Sequence, residues 1–126
     1  MNLEIAIDVD DLDRAVEFYC RGLGLKLVER KPGWARAELD GQTFWIYQFA
    51  SGPQGPITRS YRRHWTPVHL DFIVNDLDEV LQQALAAGGR LDRAVRRNES
   101  EPVGRCDVAN LSDPAGNGVD LVQRHG

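Results

Sequence analysis

Leu3-Glu4-Ile5-Ala6-Ile7-Asp8-Val9-Asp10-Asp11-Leu12-Asp13 and Val68-His69-Leu70-Asp71-Phe72-Ile73-Val74-Asn75-Asp76-Leu77-Asp78 are two copies of one pattern. An offset of 65 residues carries Leu3, Ile5, Ile7 and Val9 onto Val68, Leu70, Phe72 and Val74. Apolar residues at every second position mark a strand with one face in a core. The other face carries Glu4, Ala6 and Asp8 in the first copy and His69, Asp71 and Ile73 in the second. In a chain this small, a polar strand face either meets water or lines a cleft. The functional reading of Glu4 and His69 turns on that choice.

The chain outside these stretches repeats as well. Asp10-Asp11 can cap a helix beginning near Leu12, with Leu12, Ala15, Val16, Tyr19 and Leu23 on its apolar face. Gly22 and Gly24 end it. Leu25 to Arg30, Trp34 to Leu39 and Thr43 to Phe49 read as strands, separated by Lys31-Pro32-Gly33 and Asp40-Gly41 turns. In the second copy, Leu77, Val80, Leu81, Ala84 and Leu85 supply the helix face, and Gly88-Gly89 closes it. Arg90 to Arg97 reads as a strand, Asn98 to Gly104 as a polar loop, and Arg105 to Leu111 as a strand. Asp113-Pro114-Ala115-Gly116-Asn117 is a turn before a last strand at Gly118 to Gln123. The fold class is α+β: a first βαβββ module at residues 1–49, a linker at 50–67, and a second βαβββ module at 68–126.

Composition narrows the partners. With 15 Lys and Arg against 19 Asp and Glu, the net charge of −4 gives no field favouring nucleic acid. No apolar run approaches membrane-spanning length, and no secretion-signal pattern opens the chain, so the expected location is the cytoplasm. Cys20 and Cys106 form no CxxC pair and read as small apolar residues, with a disulfide between them left open. Within the linker, Arg59, Tyr61, Arg62, Arg63, His64 and Trp65 are basic and aromatic. They read as a solvated linker or as a loop folded over a cleft to help bind an anion. Arg93, Arg96 and Arg97 read as a solvated edge.

Asp11-Leu12…Ala15…Phe18-Tyr19…Leu23-Gly24 resembles the first helix of the vicinal oxygen chelate superfamily. Asp113-Pro114-Ala115-Gly116-Asn117-Gly118-Val119-Asp120-Leu121 resembles its closing DPxGN…E-L turn and strand. That superfamily includes glyoxalase I, bleomycin-resistance proteins, fosfomycin-resistance enzymes, methylmalonyl-CoA epimerase and extradiol dioxygenases. The resemblance implies paired modules whose curved mixed sheets surround a cleft, and a homodimer. It also implies metal-ligand positions on the first and last strand of each module. Here these fall on Glu4, Trp45, His69 and Asp120.

Four residues of this kind support three readings. Indole is a donor only, so Trp45 cannot ligate a metal. His69, Asp120 and Glu4 would remain for a divalent ion such as Zn, Mn, Ni or Fe, with Glu4 or Asp120 moving a proton as catalytic groups. Alternatively, the cleft binds a small organic ligand directly, with Trp45 and Tyr47 stacking on it and His69, Asp71, Glu4 and Asp120 offering hydrogen bonds. In the plainest reading the polar groups satisfy one another and bind nothing. The first corresponds to a lyase, isomerase or dioxygenase acting on vicinal oxygens. The second corresponds to a small-molecule-binding protein with an incomplete metal site, and it is the reading the residues favour.

Overall fold

The structure is a computed structural model that describes residues 1–64 and 66–126. Alternation in the opening stretch becomes β1 (Ile5–Val9). The helix that follows, α1 (Leu12–Val16), is capped by Asp11, whose carboxylate accepts from the Arg14 amide at 3.1 Å. It then widens into a π-helical segment, Glu17–Gly22. The wider turn lets the neighbours Phe18 and Tyr19 both point inward, where both are fully buried in edge-to-face contact at 4.9 Å. Regular helical spacing placed only Tyr19 on that face. β2 (Lys26–Lys31), β3 (Trp34–Leu39) and β4 (Gln42–Gln48) complete a sheet of order β1-β4-β3-β2, with β1 parallel to β4. Phe44 and Ile46 face the helix and are buried, which turns Trp45 and Tyr47 to the opposite face.

A short hairpin, β5 (Gly52–Gln54) and β6 (Ile57–Arg59), occupies the linker. The basic stretch after it is anchored to both modules. Arg59 pairs with Asp8 at 2.8 Å and lies over the Phe49 ring, Tyr61 donates to the Phe49 carbonyl at 2.7 Å, and Arg63 reaches Asp92 at 2.9 Å. Trp65, part of the same stretch, lies outside the described residues.

β7 (Leu70–Ile73) and α2 (Leu77–Ala86) repeat β1 and α1. Asp76 caps α2 as Asp11 caps α1, again at 3.1 Å. Gln48 and Gln123 each accept from the first helical amide, Leu12 or Leu77, at 2.8 Å. The strand expected over Arg90 to Arg97 is instead two pieces, β8 (Arg90–Leu91) and β9 (Arg96–Glu101), and most of the expected 98–104 loop is strand. Both pieces pair with β10 (Gly104–Ser112), a nine-residue strand whose backbone groups need partners along its whole length. Polar side chains are tolerated there because β9 is an edge strand. β11 (Gly118–Arg124) lies between β10 and β7 and is parallel to β7.

The two modules share one core. It runs from Val9, Leu12 and Phe18 through Leu77, Leu81 and Leu111 to Leu121. The helices cross closely at glycine: a Cβ on Gly22 would sit 3.0 Å from the Ala87 Cβ and 3.3 Å from the Ala84 Cα, and just after α2 a Cβ on Gly89 would sit 2.5 Å from the Phe18 ring. Asp113 accepts from the buried Tyr19 hydroxyl at 2.6 Å, and Asn117 donates to the Asp8 carbonyl at 3.1 Å, so the closing turn of the second module is tied to the first. Gly116 in that turn has φ +92°, and a Cβ there would lie 2.7 Å from the Tyr61 carbonyl oxygen. β1 and β7 are the edge strands nearest this junction. Between them lies an open trough.

Candidate functional site

Strand register superposes the two modules residue by residue. Ala6 lies opposite Trp45 in the first, and Asp71 opposite Asp120 in the second. Arg36 lies on the other side of Trp45, and Asn110 on the other side of Asp120. Glu4 and His69 each sit one residue ahead of their strand. The set Glu4, Ala6, Arg36, Trp45 therefore corresponds to His69, Asp71, Asn110, Asp120.

The second set converges. His69 Nδ1 is 3.0 Å from Asp71 Oδ1 and 3.3 Å from Asp120 Oδ2. Asn110 Nδ2 donates to Asp120 Oδ1 at 2.8 Å. One ligand atom from each of His69, Asp71 and Asp120 falls within 4.8 Å of the others. Asp120 is the most enclosed of the three, its side chain 19% exposed. Burial pushes its carboxyl above the usual range, and the Asp71 charge adds to this, against the opposing pull of Asn110, His69 and Arg96.

The first set forms a different surface. Trp45 Nε1 donates to Glu4 Oε1 at 3.0 Å. The Trp45 and Tyr47 rings are nearly parallel, 6° apart in plane with centroids 6.0 Å apart, and Trp34 packs edge-on to Trp45 at 5.7 Å. The Arg36 guanidinium lies 5.7 Å from the Trp45 ring centre. Glu4 does not join the histidine cluster. Its side chain is held on the aromatic wall, so the structure places Asp71 rather than Glu4 beside His69 and Asp120. Ala6 and Asp8 of the first module and His69 of the second line one open cleft of about 670 Å³ between the edge strands.

The arginines expected at a solvated edge separate by strand parity. Arg96 pairs with Val108 and turns into the cleft beside His69 and Asp120. Arg97 points the other way and bridges Asp78 at 2.5 Å and Asp107 at 3.1 Å. Asp107 also accepts from the Asn98 amide and lies 2.8 Å from His125. These contacts, the Asn98 bond foremost, hold its carboxyl down at about 2. Arg96 already lies in an expected strand, but only the register with β10 shows that it faces the cleft. Cys20 and Cys106 are free thiols, and burial raises both, which makes them poor nucleophiles.

A glyoxalase-like domain profile matches residues 4–122. The chain belongs to the glyoxalase-like domain family. A glyoxalase/bleomycin resistance protein from Albidiferax ferrireducens T118 superposes with a TM-score of 0.74 at 22% identity, covering 98% of this chain and 99% of that one. A glyoxalase-related enzyme from Fulvimarina pelagi gives 0.73 at 20% identity, covering 98% and 89%. A glyoxalase/bleomycin resistance protein/dioxygenase from Alicyclobacillus acidocaldarius gives 0.71 at 20%, covering 100% and 92%. A search of curated proteins returns no match. The fold of this glyoxalase-like chain is thus that of the vicinal oxygen chelate superfamily. Among the described residues, no helix is long and apolar enough to cross a membrane.

Proposed function

We propose that this glyoxalase-like protein binds a small organic molecule in the trough between its sheets and lacks the four-ligand metal site of its superfamily. One observation carries the reading: an indole occupies the ligand position of the first module, and its N–H is bonded to Glu4, the other ligand position there. Trp45, Tyr47 and Trp34 offer an apolar wall for a planar group, and His69, Asp71 and Asp120 offer polar contacts on the other module. The exposed apolar side chains of Leu3, Val68 and Ile73 along the edge strands favour pairing with a second copy, to be checked by sedimentation. The test uses chelator-treated protein and tryptophan fluorescence against planar aromatic compounds. Saturable quenching that Trp45→Ala removes is the expected result. An unchanged response in that variant would overturn the stacking wall.

The histidine cluster supports a second reading, a metal-dependent enzyme acting on vicinal oxygens. Donor atoms each about 2 Å from one ion stand roughly 3 to 3.5 Å apart, which is the spacing around His69. His69, Asp71 and Asp120 would hold a divalent ion, which would polarise a substrate oxygen. Asp120, on the more enclosed side, is the group to hold or move a proton. Calorimetric titration with Zn, Mn, Ni and Fe tests this. Since the Asp120 carboxyl is raised, protons compete with the metal from a higher pH than for an ordinary aspartate, and affinity should weaken as pH falls through that range. No stoichiometric binding at neutral pH would remove the metal reading.

A further inference from the structure

Arg96 is the residue on the polar wall whose hydrogen bonding is least complete. Its Nε is buried and has no partner among the described residues. Its remaining contacts are long: Nη2 to Asn110 Oδ1 at 3.3 Å and Nη1 to Glu99 at 3.9 Å. The side chain as a whole is 33% exposed, so its Nη edge keeps contact with the cleft while making only weak bonds within the protein. The surrounding residues keep its charge unspent. Asn110 stands between Arg96 and Asp120, accepting from one and donating to the other, so no direct ion pair forms with Asp120. Asp92, the nearby acid, is already bonded to Arg63 and Ser112. Arg93 lines the same cleft and makes no ion pair among the described residues.

We infer that Arg96, with Arg93 beside it, forms a subsite for the carboxylate of a small organic acid bound in the cleft. The inference rests on the small-molecule reading above and names the ligand class for it. The Nη edge of the planar guanidinium, held only by those two long contacts, matches the two oxygens of a carboxylate, while the Nε–H behind it reports on the group without touching the ligand. Asp71, Asp120 and Glu101 line the same region, and they oppose a doubly charged phosphate more than a singly charged acid. The cleft at this end measures about 410 Å³, which suits an acid the size of a benzoate. Asp120 and His69 lie next to the bound carboxylate's position, so the acid would be gripped at one end by arginine while its body runs towards the trough.

The test is made on chelator-treated protein with two pairs of probes, benzoate against benzamide and oxalate against oxamide. It is read at the Arg96 Nε–Hε resonance and by tryptophan fluorescence. The carboxylates should shift that resonance saturably while their neutral isosteres leave it in place. Arg96→Gln should weaken carboxylate binding about tenfold, the equivalent of one lost charge-assisted contact. Arg96→Lys, which keeps the charge and protects the fold, should also weaken it because an ammonium cannot form the fork. Equal responses to amide and acid, unaltered binding in both variants, or no shift by either carboxylate up to tens of millimolar would overturn the subsite. Benzoate quenching tryptophan without touching Arg96 would overturn it while leaving the binding cleft standing. An Arg96 response with no tryptophan quenching would support the subsite and overturn the aromatic wall.

Discussion

The two modules share backbone devices down to single hydrogen bonds, yet their concave faces differ at every corresponding position. Both helices start with an aspartate cap at 3.1 Å and a glutamine accepting the first amide at 2.8 Å. On the face away from the helices, the first module has Glu4, Ala6, Arg36 and Trp45 where the second has His69, Asp71, Asn110 and Asp120. The difference reflects which residues each fold needs. Helix-facing residues enter one packed core, where a change of volume is felt at once. Concave-face residues meet solvent or ligand, so their chemistry is free to diverge without loss of the fold. One module became an aromatic wall and the other an imidazole–carboxylate cluster.

The largest expected effect tests whether the modules depend on each other. Asp113→Ala removes the acceptor for Tyr19, for the Ala115 and Asn117 amides and for the Asn117 side chain. It should cost about 3 kcal/mol in urea unfolding. A loss below about 1 kcal/mol would mean the modules hold together without that turn. Next comes the split in chemistry. His69→Gln should weaken any divalent-metal affinity at least about tenfold, and Glu4→Gln should leave it unchanged. Equal losses in calorimetry would show that both modules converge on one centre and would break the comparison.

Smaller effects sharpen it. Asp11→Ala and Asp76→Ala should each destabilise by about 1 kcal/mol, and by similar amounts, since the two caps have the same geometry. Unequal thermal shifts would show that the π-helical segment after α1 alters its capping. The smallest signal is a slope, confined to acid. Asp107 titrates near 2 when folded against 3.8 ordinarily, so its contribution is present above 3.8 and lost as pH falls towards 2. Asp107→Asn should flatten the fall in stability over that window, measured by urea titration at several pH values.

Local pattern carried much of this in the sequence. Alternation in Leu3–Val9 and Val68–Val74, caps at Asp11 and Asp76, and the Asp113–Asn117 turn all arise from neighbours a few residues apart. Trp45 and Tyr47 could be turned from the core because Phe44 and Ile46 claim it. The Asn98–Glu101 part of β9 reads as loop because Asn-Glu-Ser-Glu has no apolar alternation, and its pairing with β10 supplies the order instead. Arg96 and Arg97, expected at the end of a strand, take opposite faces, and the pairing with β10 decides which of them meets the cleft. Glu4 looked equivalent to His69 by position, but a bond to Trp45, 41 residues away, set its role.

The sequence by itself determined the duplicated βαβββ plan, because strand and helix periods and helix caps are written in short-range order. Only the tertiary structure decided which polar groups meet: Asp71 with His69 and Asp120, Arg96 held off Asp120 by Asn110, and Tyr19 joined to Asp113 across 94 residues. Such contacts depend on strand register and on how two sheets sit across a shared core, and neither leaves a periodic trace along the chain.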